Sequence, residues 1–88
     1  MTLADLRDGD SVFIDANIFI YHFGGQSAEC RAFLERCARR ELLGYTSTPT
    51  NDSFVVAFMH DRGLTKLATT NGDFYRVHGL EVYKPTDL

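Results

Sequence analysis

Hydrophobic and polar residues form two kinds of pattern along the chain, one typical of buried strands and the other of amphipathic helices. Val12, Phe13 and Ile14 are consecutive apolar residues that stop at Asp15, which predicts a short strand of the kind buried in parallel sheets. After Ser27, a good N-cap residue, apolar positions recur at intervals of three and four as far as Gly44. This spacing predicts an amphipathic helix over residues 28–43.

The remaining segments continue this alternation of strands and helices. The predicted order is a strand at 11–14, one or two helical turns from 17 to the glycines at 24 and 25, a helix at 28–43, a strand at 44–49, a helix from 52 to about 62, a strand at 64–70, a helical turn at 74–78 and a strand at 79–84. Such an order predicts the α/β class, with a parallel four-stranded sheet flanked by helices. The acidic opening segment, residues 1–10, is expected to be exposed.

Length and composition narrow the class of protein further. The 88 residues are 44% hydrophobic and 24% charged, which favours one folded domain over residues 1–88 and excludes a disordered chain. The net charge of −3 provides no basic excess, so nucleic-acid binding would need a local patch or bound metal ions. We expect a cytoplasmic location, because no apolar run approaches the ~20 residues of a membrane span and no secretion signal is recognisable.

The two cysteines are expected to stay reduced. Cys30 and Cys37 lie seven positions apart in the predicted helix, which separates them by about 10.5 Å along the helix axis. A disulfide requires Cα atoms within ~7 Å.

Polar residues follow three of the predicted strands. Ligands of open α/β sheets bind beyond the carboxyl ends of the strands, so these residues are candidates for a functional site. The candidates are Asp15 and Asn17 after the first strand, Asp52 at the start of the helix after the second, and Thr69, Asn71 and Asp73 after the third. Carboxylates that converge in a confined site need a cation to offset their repulsion. Ligands that are all oxygen favour Mg²⁺ or Mn²⁺ over zinc.

Each candidate also has a purely structural interpretation. Asp15, Asn17 and Asp52 are good N-cap residues for the helices that they precede. The Asn71-Gly72 pair is typical of a turn, and Thr69 could be an ordinary strand residue.

Three sequence blocks resemble the motifs of the PIN-domain family. Residues 12–19 (VFIDANIF) resemble its opening strand with Asp-x-Asn, residues 51–57 (NDSFVVA) its acidic helix start, and residues 67–74 (LATTNGDF) its closing Thr-x-Asp-x-Asp-Phe signature. Residues 45–49 also look like the second strand of the family. The blocks occur in the family's order, and the resemblance covers nearly the whole chain from Ser11 to Pro85.

The resemblance implies a divalent-metal-dependent ribonuclease, most often the VapC-like toxin of a toxin–antitoxin pair. It implies that Asp15, Asp52 and Asp73 are catalytic metal ligands for Mg²⁺ or Mn²⁺. Asn71 would be a further ligand, at a position where the family usually has Asp, and Asn17 and Thr69 would be supporting polar residues. The implied partners are an RNA substrate and an antitoxin protein.

The chain is shorter than the family pattern between Thr50 and Asn51. A glutamate on the helix after the second strand, and further helices, have no counterpart there. Their absence would weaken a metal site and expose apolar surface. We therefore expect a homodimer or higher oligomer, with Phe54, Phe58 or the apolar side of helix 28–43 at the interface.

Two other functions fit the sequence. The first is a catalytically inactive PIN-like interaction module that self-associates or binds an antitoxin or RNA. The second is a receiver-like phosphoryl-transfer domain, which fits less well because Asp15 has no adjacent acidic partner and no lysine follows the third strand in the right setting.

Overall fold

The structure is a computed structural model that describes residues 1–46, 52–70, 74 and 77–88, with the backbone alone for 52–54. It confirms the α/β class with a parallel four-stranded sheet flanked by helices. The elements are a 3₁₀ turn at Leu3–Asp5, β1 (Ser11–Ile14), α1 (Ala16–Phe23), α2 (Ala28–Ala38), β2 (Leu43–Tyr45), α3 (Asp52–Asp61), β3 (Lys66–Ala68) and β4 (Glu81–Tyr83).

The strands are arranged in the order β2-β1-β3-β4, and every pair is parallel. Phe13 is opposite Tyr45 on one side and Leu67 on the other, which places β1 in the centre of the sheet. Since all four strands point the same way, the sheet has an amino edge where they begin and a carboxyl edge where they end. A parallel bridge between Thr2 and Lys84 adds the start of the chain beside the end of β4.

Successive residues of β1 point to opposite faces of the sheet, and each face has its own apolar core. Val12 and Ile14 pack with Ile18 of α1 and Phe33 of α2. Phe13 faces the other way. The opposite core is completed by residues of α3, β3 and β4: Val55, Met59, Leu67 and Val82. Burial of a parallel sheet on both faces explains why these strands are continuous apolar runs rather than alternating ones.

The end of α2 differs from the prediction. The helix stops at Ala38 rather than at residue 43, and Arg40 adopts a positive φ of 63°. The N–H of Glu41 donates to the carbonyl of Arg36 (2.9 Å), and the N–H of Arg40 to that of Cys37 (3.1 Å). This pair of bonds is a Schellman cap, in which arginine occupies the position usually taken by glycine.

Gly44 therefore lies inside β2 rather than at a helix end. A Cβ on Gly44 would lie 2.8 Å from Cδ1 of Ile14 and 3.4 Å from Sγ of Cys37. Gly44 is therefore needed because a larger side chain would collide with the core, and not because a positive φ is required.

The opening segment, residues 1–10, is predicted to be exposed, but the structure buries part of it. Leu3 and Leu6 are buried in the core on the side of α1 and α2. A 3₁₀ turn brings both side chains to the same side, three residues apart. The neighbouring acidic residues Asp5 and Asp8 remain exposed. The polar character of the segment therefore led to a prediction that missed two core residues.

The other strands are shorter than predicted. The described part of the 44–49 segment is a strand at Leu43–Tyr45, the 64–70 segment forms Lys66–Ala68, and the 79–84 segment forms Glu81–Tyr83. The helical turn predicted at 74–78 lies partly outside the described residues; within it, Phe74 is buried.

Among the described residues, the most exposed apolar side chains of mid-chain elements lie on α1 and β2 rather than at Phe58 or on α2. The ring of Phe58 lies 5.4 Å from that of Phe13, and the guanidinium of Arg62 covers it at 5.0 Å. The apolar side of α2 is buried within the chain through Cys30 and Phe33, and the side chain of Phe54 is outside the described residues. In the part of the mid-chain that the structure describes, the exposed large apolar side chains are Ile20 and Phe23 of α1, 65% and 80% exposed, and Leu43 and Tyr45 of β2.

Both cysteines are free thiols, as predicted from their spacing. Burial raises the pKa of both the Cys30 and the Cys37 thiol, which makes them poor nucleophiles. No helix in the described part of the chain is long and apolar enough to cross a membrane.

Candidate functional site

The carboxyl edge has a point where the chain changes direction across the sheet. From β1 the chain passes to β2 on one side, and it later returns to place β3 on the other side of β1. The carboxyl ends of β1 and β3 are therefore adjacent at a topological switch point. Ligands of open α/β sheets bind in the crevice at such points.

Asp15 lies directly after β1 and occupies the N-cap position of α1. Its backbone carbonyl accepts the N–H of Ile18 at 3.0 Å, but its carboxylate makes no capping hydrogen bond. The structure thus does not support capping as the role of the Asp15 carboxylate.

The carboxylate of Asp15 is instead held by two other side chains. The hydroxyl of Thr69 donates to Oδ2 at 2.8 Å, and the amide of Asn17 approaches the same atom at 3.4 Å. Oδ1 accepts no hydrogen bond from the residues that the structure describes. One carboxylate oxygen is therefore fixed, while the other remains available to a ligand.

Backbone hydrogen bonds fasten this cluster to both strands. The N–H of Asp15 donates to the carbonyl of Ala68 at 2.9 Å, which continues the β1–β3 ladder beyond its last strand residues. The N–H of Thr70 donates to Oδ1 of Asn17 at 3.2 Å. The segments after β1 and β3, more than 50 residues apart in sequence, are thus joined through Asp15, Asn17, Thr69 and Thr70.

The structure brings together three of the six candidate residues. Asp15 and Asn17 are partly buried, and Thr69 is fully buried at 0% exposure. Asp52 is the first residue of α3, which the chain enters after the carboxyl end of β2, but only its backbone is described. Asn71 and Asp73 lie outside the described residues.

The Asp15 carboxylate is a suitable ligand for a hard divalent cation such as Mg²⁺. The described residues alone, however, do not form a complete ligand set. Carboxylate oxygen is the preferred ligand of Mg²⁺, and partners that hydrogen-bond a ligating carboxylate fix its orientation. Within residues 1–46, 52–70, 74 and 77–88, no group of three acidic, histidine or cysteine side chains is arranged to hold a metal. Asp15 is therefore one potential ligand whose co-ligands would have to come from Asp52, Asn71 or Asp73.

Sequence reasoning missed two features of this cluster. It treated Thr69 as supporting, yet this residue supplies the shortest hydrogen bond to Asp15. It placed Thr70 in the predicted strand 64–70 and gave it no part in the site, although the Thr70 N–H donates to Asn17. The Thr-Thr pair directly after a strand opposite Asp15 is the signal in the sequence that could have indicated both.

No family model, curated protein or solved structure matches the chain. The chemistry of the site must therefore be argued from its own residues.

Proposed function

We propose that the protein is a metal-dependent endoribonuclease of the PIN type, similar to VapC-like toxins. Asp15, Asp52 and Asp73 would bind Mg²⁺ or Mn²⁺, with Asn71 as a further ligand. The observation that carries the proposal is the Asp15 carboxylate at the β1–β3 switch point. Its Oδ2 is held by Thr69 and Asn17, and Oδ1 is left open.

The arrangement around Asp15 supports a ligand role better than a structural one. An N-cap carboxylate bonds backbone N–H groups of its own helix, and Asp15 makes no such bond. Thr69 and Asn17 direct the carboxylate instead, as outer partners of metal ligands do. A bound divalent cation would lower the pKa of a water molecule and offset charge on the scissile phosphate. The role of this chain is then to orient the carboxylates that hold the cation.

A protein of this type would act on RNA in the cytoplasm and would be restrained by an antitoxin partner. An alternative is a catalytically inactive module that binds itself, an antitoxin or RNA. The exposed side chains of Ile20 and Phe23 on α1 favour this second function, because apolar surface of this kind marks interaction sites when it is contiguous.

Metal binding can be tested by thermal unfolding in Mg²⁺ or Mn²⁺. A cation that binds only the folded protein must raise the unfolding midpoint. We expect this rise in the wild-type protein and its loss in Asp15→Asn. The matched control is Asp61→Asn, which makes the same charge change at the exposed end of α3. An unchanged response in Asp15→Asn would show that the site is wrongly assigned.

Cleavage of a structured RNA separates the two functions. We expect fragments with Mn²⁺ or Mg²⁺, none with EDTA, and a loss in Asp15→Asn but not in Asp61→Asn. If the wild-type protein binds the RNA and leaves it intact at every metal concentration, the interaction module is the correct function.

A further inference from the structure

The two outermost strands of the sheet, β2 and β4, differ in how their outer sides are covered. At β4 the opening segment of the chain joins the edge. The N–H of Lys84 donates to the carbonyl of Met1 at 2.9 Å, and the N–H of Leu3 donates to the carbonyl of Lys84 at 3.2 Å. At β2, no strand in the described part of the chain pairs with the outer side. β2 is therefore the open edge of the sheet.

The open edge presents the backbone groups of Gly44. Consecutive residues of a strand direct their N–H and C=O groups to opposite sides. The N–H of Leu43 donates to the carbonyl of Asp10, directly before β1, at 2.9 Å. The N–H and the carbonyl of Gly44 consequently point away from β1, to the side where another strand can bond both.

The side chains of β2 at this edge are apolar and exposed. A Cβ on Gly44 would point into the core on the side of α1 and α2, so Leu43 and Tyr45 face the side of α3. They are 48% and 40% exposed, although Tyr45 is in register with the buried Phe13 of β1. Strands of parallel sheets are normally covered on both faces. The α3 side of β2 thus lacks the cover that the neighbouring strand has.

The charge of the segment favours a second copy of this chain as the partner. Natural sheets often protect an edge strand with a charged side chain or a proline, and β2 has neither. Residues 42–51 contain no charged residue at all. When a strand pairs with its own copy across a two-fold axis, each charge is brought close to an identical one. A segment without charge meets this condition, whereas a partner of opposite charge would find no complementary group in it.

We propose that two copies of this chain pair through β2, antiparallel about a two-fold axis at Gly44, and join two four-stranded sheets into one. Gly44 of each copy donates its N–H to the carbonyl of the other. Leu43 then lies opposite the partner's Tyr45, and Tyr45 opposite the partner's Leu43. Pairs that flank a hydrogen-bonded pair approach to about 4.5 Å between Cα atoms. The four side chains therefore cover one another and extend the apolar core of the α3 side across the axis.

The interface is small. A standard interface buries ~800 Å² per partner, which is more than a strand of three residues with two apolar side chains supplies. The dimer is therefore reversible and dissociates on dilution. It does not depend on the proposed nuclease activity, since no residue of the Asp15 cluster takes part.

Sedimentation velocity over a wide range of protein concentration tests the pairing. We expect a monomer–dimer equilibrium in the wild-type protein. Leu43→Lys and Tyr45→Glu change exposed positions, so each variant should fold, and each should raise the dissociation constant at least about ten-fold, because a charge is brought against an apolar side chain. The double variant Leu43→Lys/Tyr45→Glu places opposite charges across the axis and should recover most of the lost affinity. Gly44 itself is unsuitable, since a Cβ there would collide with Ile14.

The matched control is Phe23→Lys, which makes the same kind of change at an apolar side chain of α1 that is 80% exposed. It should dimerise like the wild-type protein. A second measurement is amide exchange by NMR, in which the Gly44 N–H should exchange more slowly as the protein concentration rises. A wild-type protein that stays monomeric at every concentration, a Leu43→Lys variant that dimerises undiminished, loss of the dimer in Phe23→Lys, or no recovery in the double variant would each overturn the proposal.

Discussion

The two edges of the sheet hold their carboxylates in different ways. At the carboxyl edge, Asp15 accepts hydrogen bonds from side chains, one of them donated by Thr69 from 54 positions away. At the amino edge, Asp5 and Asp10 each accept a backbone N–H from three positions earlier in the same turn. The first arrangement exists only in the folded chain, whereas the second is local. Long-range support fixes the direction of the Asp15 carboxylate, and local support places Asp5 and Asp10 in the lining of one surface cavity at the amino edge.

The largest expected effect comes from removing the long-range donor. Thr69→Val keeps the shape of a fully buried side chain and removes the hydroxyl that bonds Asp15 at 2.8 Å. Loss of a partner to a charged group should lower the free energy of unfolding by about 1–3 kcal/mol, measured by urea denaturation.

The amino edge offers a matched control for this variant. Thr65 is exposed, and its hydroxyl lies 3.5 Å from Glu81, at the limit of a hydrogen bond. Thr65→Val should change the unfolding free energy by less than about 0.5 kcal/mol. Equal losses in the two variants would contradict the distinction between the edges.

A smaller effect on stability, dependent on pH, is expected from substitution of Asp87, which lies beyond the carboxyl end of β4. The Ser27 hydroxyl donates to Oδ1 of Asp87 at 2.6 Å and the Glu29 N–H to Oδ2 at 3.1 Å. These bonds, above all the one from Ser27, lower the pKa of Asp87. A lowered folded-state pKa stabilises the protein above the ordinary carboxyl pKa, and this contribution is lost as pH falls through the folded value.

Asp87→Asn should therefore be less stable than the wild-type protein at about pH 7, and the difference should narrow as the pH falls to about 2. Chemical denaturation at the two pH values measures the difference. Asp61→Asn, which makes the same charge change at the exposed end of α3, is the control. A gap for Asp87→Asn that persists in acid would mean that the carboxylate charge is not responsible.

The smallest effect is expected from Tyr83→Phe in β4. Its hydroxyl has no described partner, so the unfolding free energy near pH 7 should change by less than about 0.5 kcal/mol. At alkaline pH, the raised pKa of Tyr83 determines the direction in which the free energy of unfolding changes. The unfolded phenol ionises first, so stability falls as pH rises from the ordinary tyrosine pKa through the folded value.

Tyr83→Phe should accordingly lose less stability than the wild-type protein between about pH 9 and about pH 11. Tyr45→Phe, which removes the same hydroxyl at an exposed position of β2, is the control. Identical alkaline profiles for Tyr83→Phe and the wild-type protein would contradict the placement of the phenol.

Much of the fold could be predicted because strands and helices have different apolar periods. The order of the elements and the parallel sheet follow from that difference. The end of α2 could not be predicted, because Gly44 is the obvious terminator whereas Arg40 takes the left-handed position. The burial of Leu3 and Leu6 was also hidden, since two apolar residues in a polar run show no period.

The candidate site was predictable only in part. Asp15 and Asn17 share one short motif, and its position after a strand indicated the carboxyl edge. The bond from Thr69 depends on β3 lying beside β1, which is a property of strand order and not of local sequence. The cavity at the amino edge is lined by residues of separate segments, among them Asp5, Asp10 and Glu81, which share no motif, so only the folded chain reveals it.

The attachment of Asp87 to the start of α2 has a consequence for how the chain folds. Its contacts with Ser27 and Glu29 span 60 and 58 positions, and Thr86 bonds Glu29 from 57 positions away. Contacts of such separation slow folding, because a long loop must close before they form. During translation, Ser27 is synthesised 60 residues before Asp87, so the start of α2 has only its local Ser27 cap until the carboxylate that completes its hydrogen bonding is made.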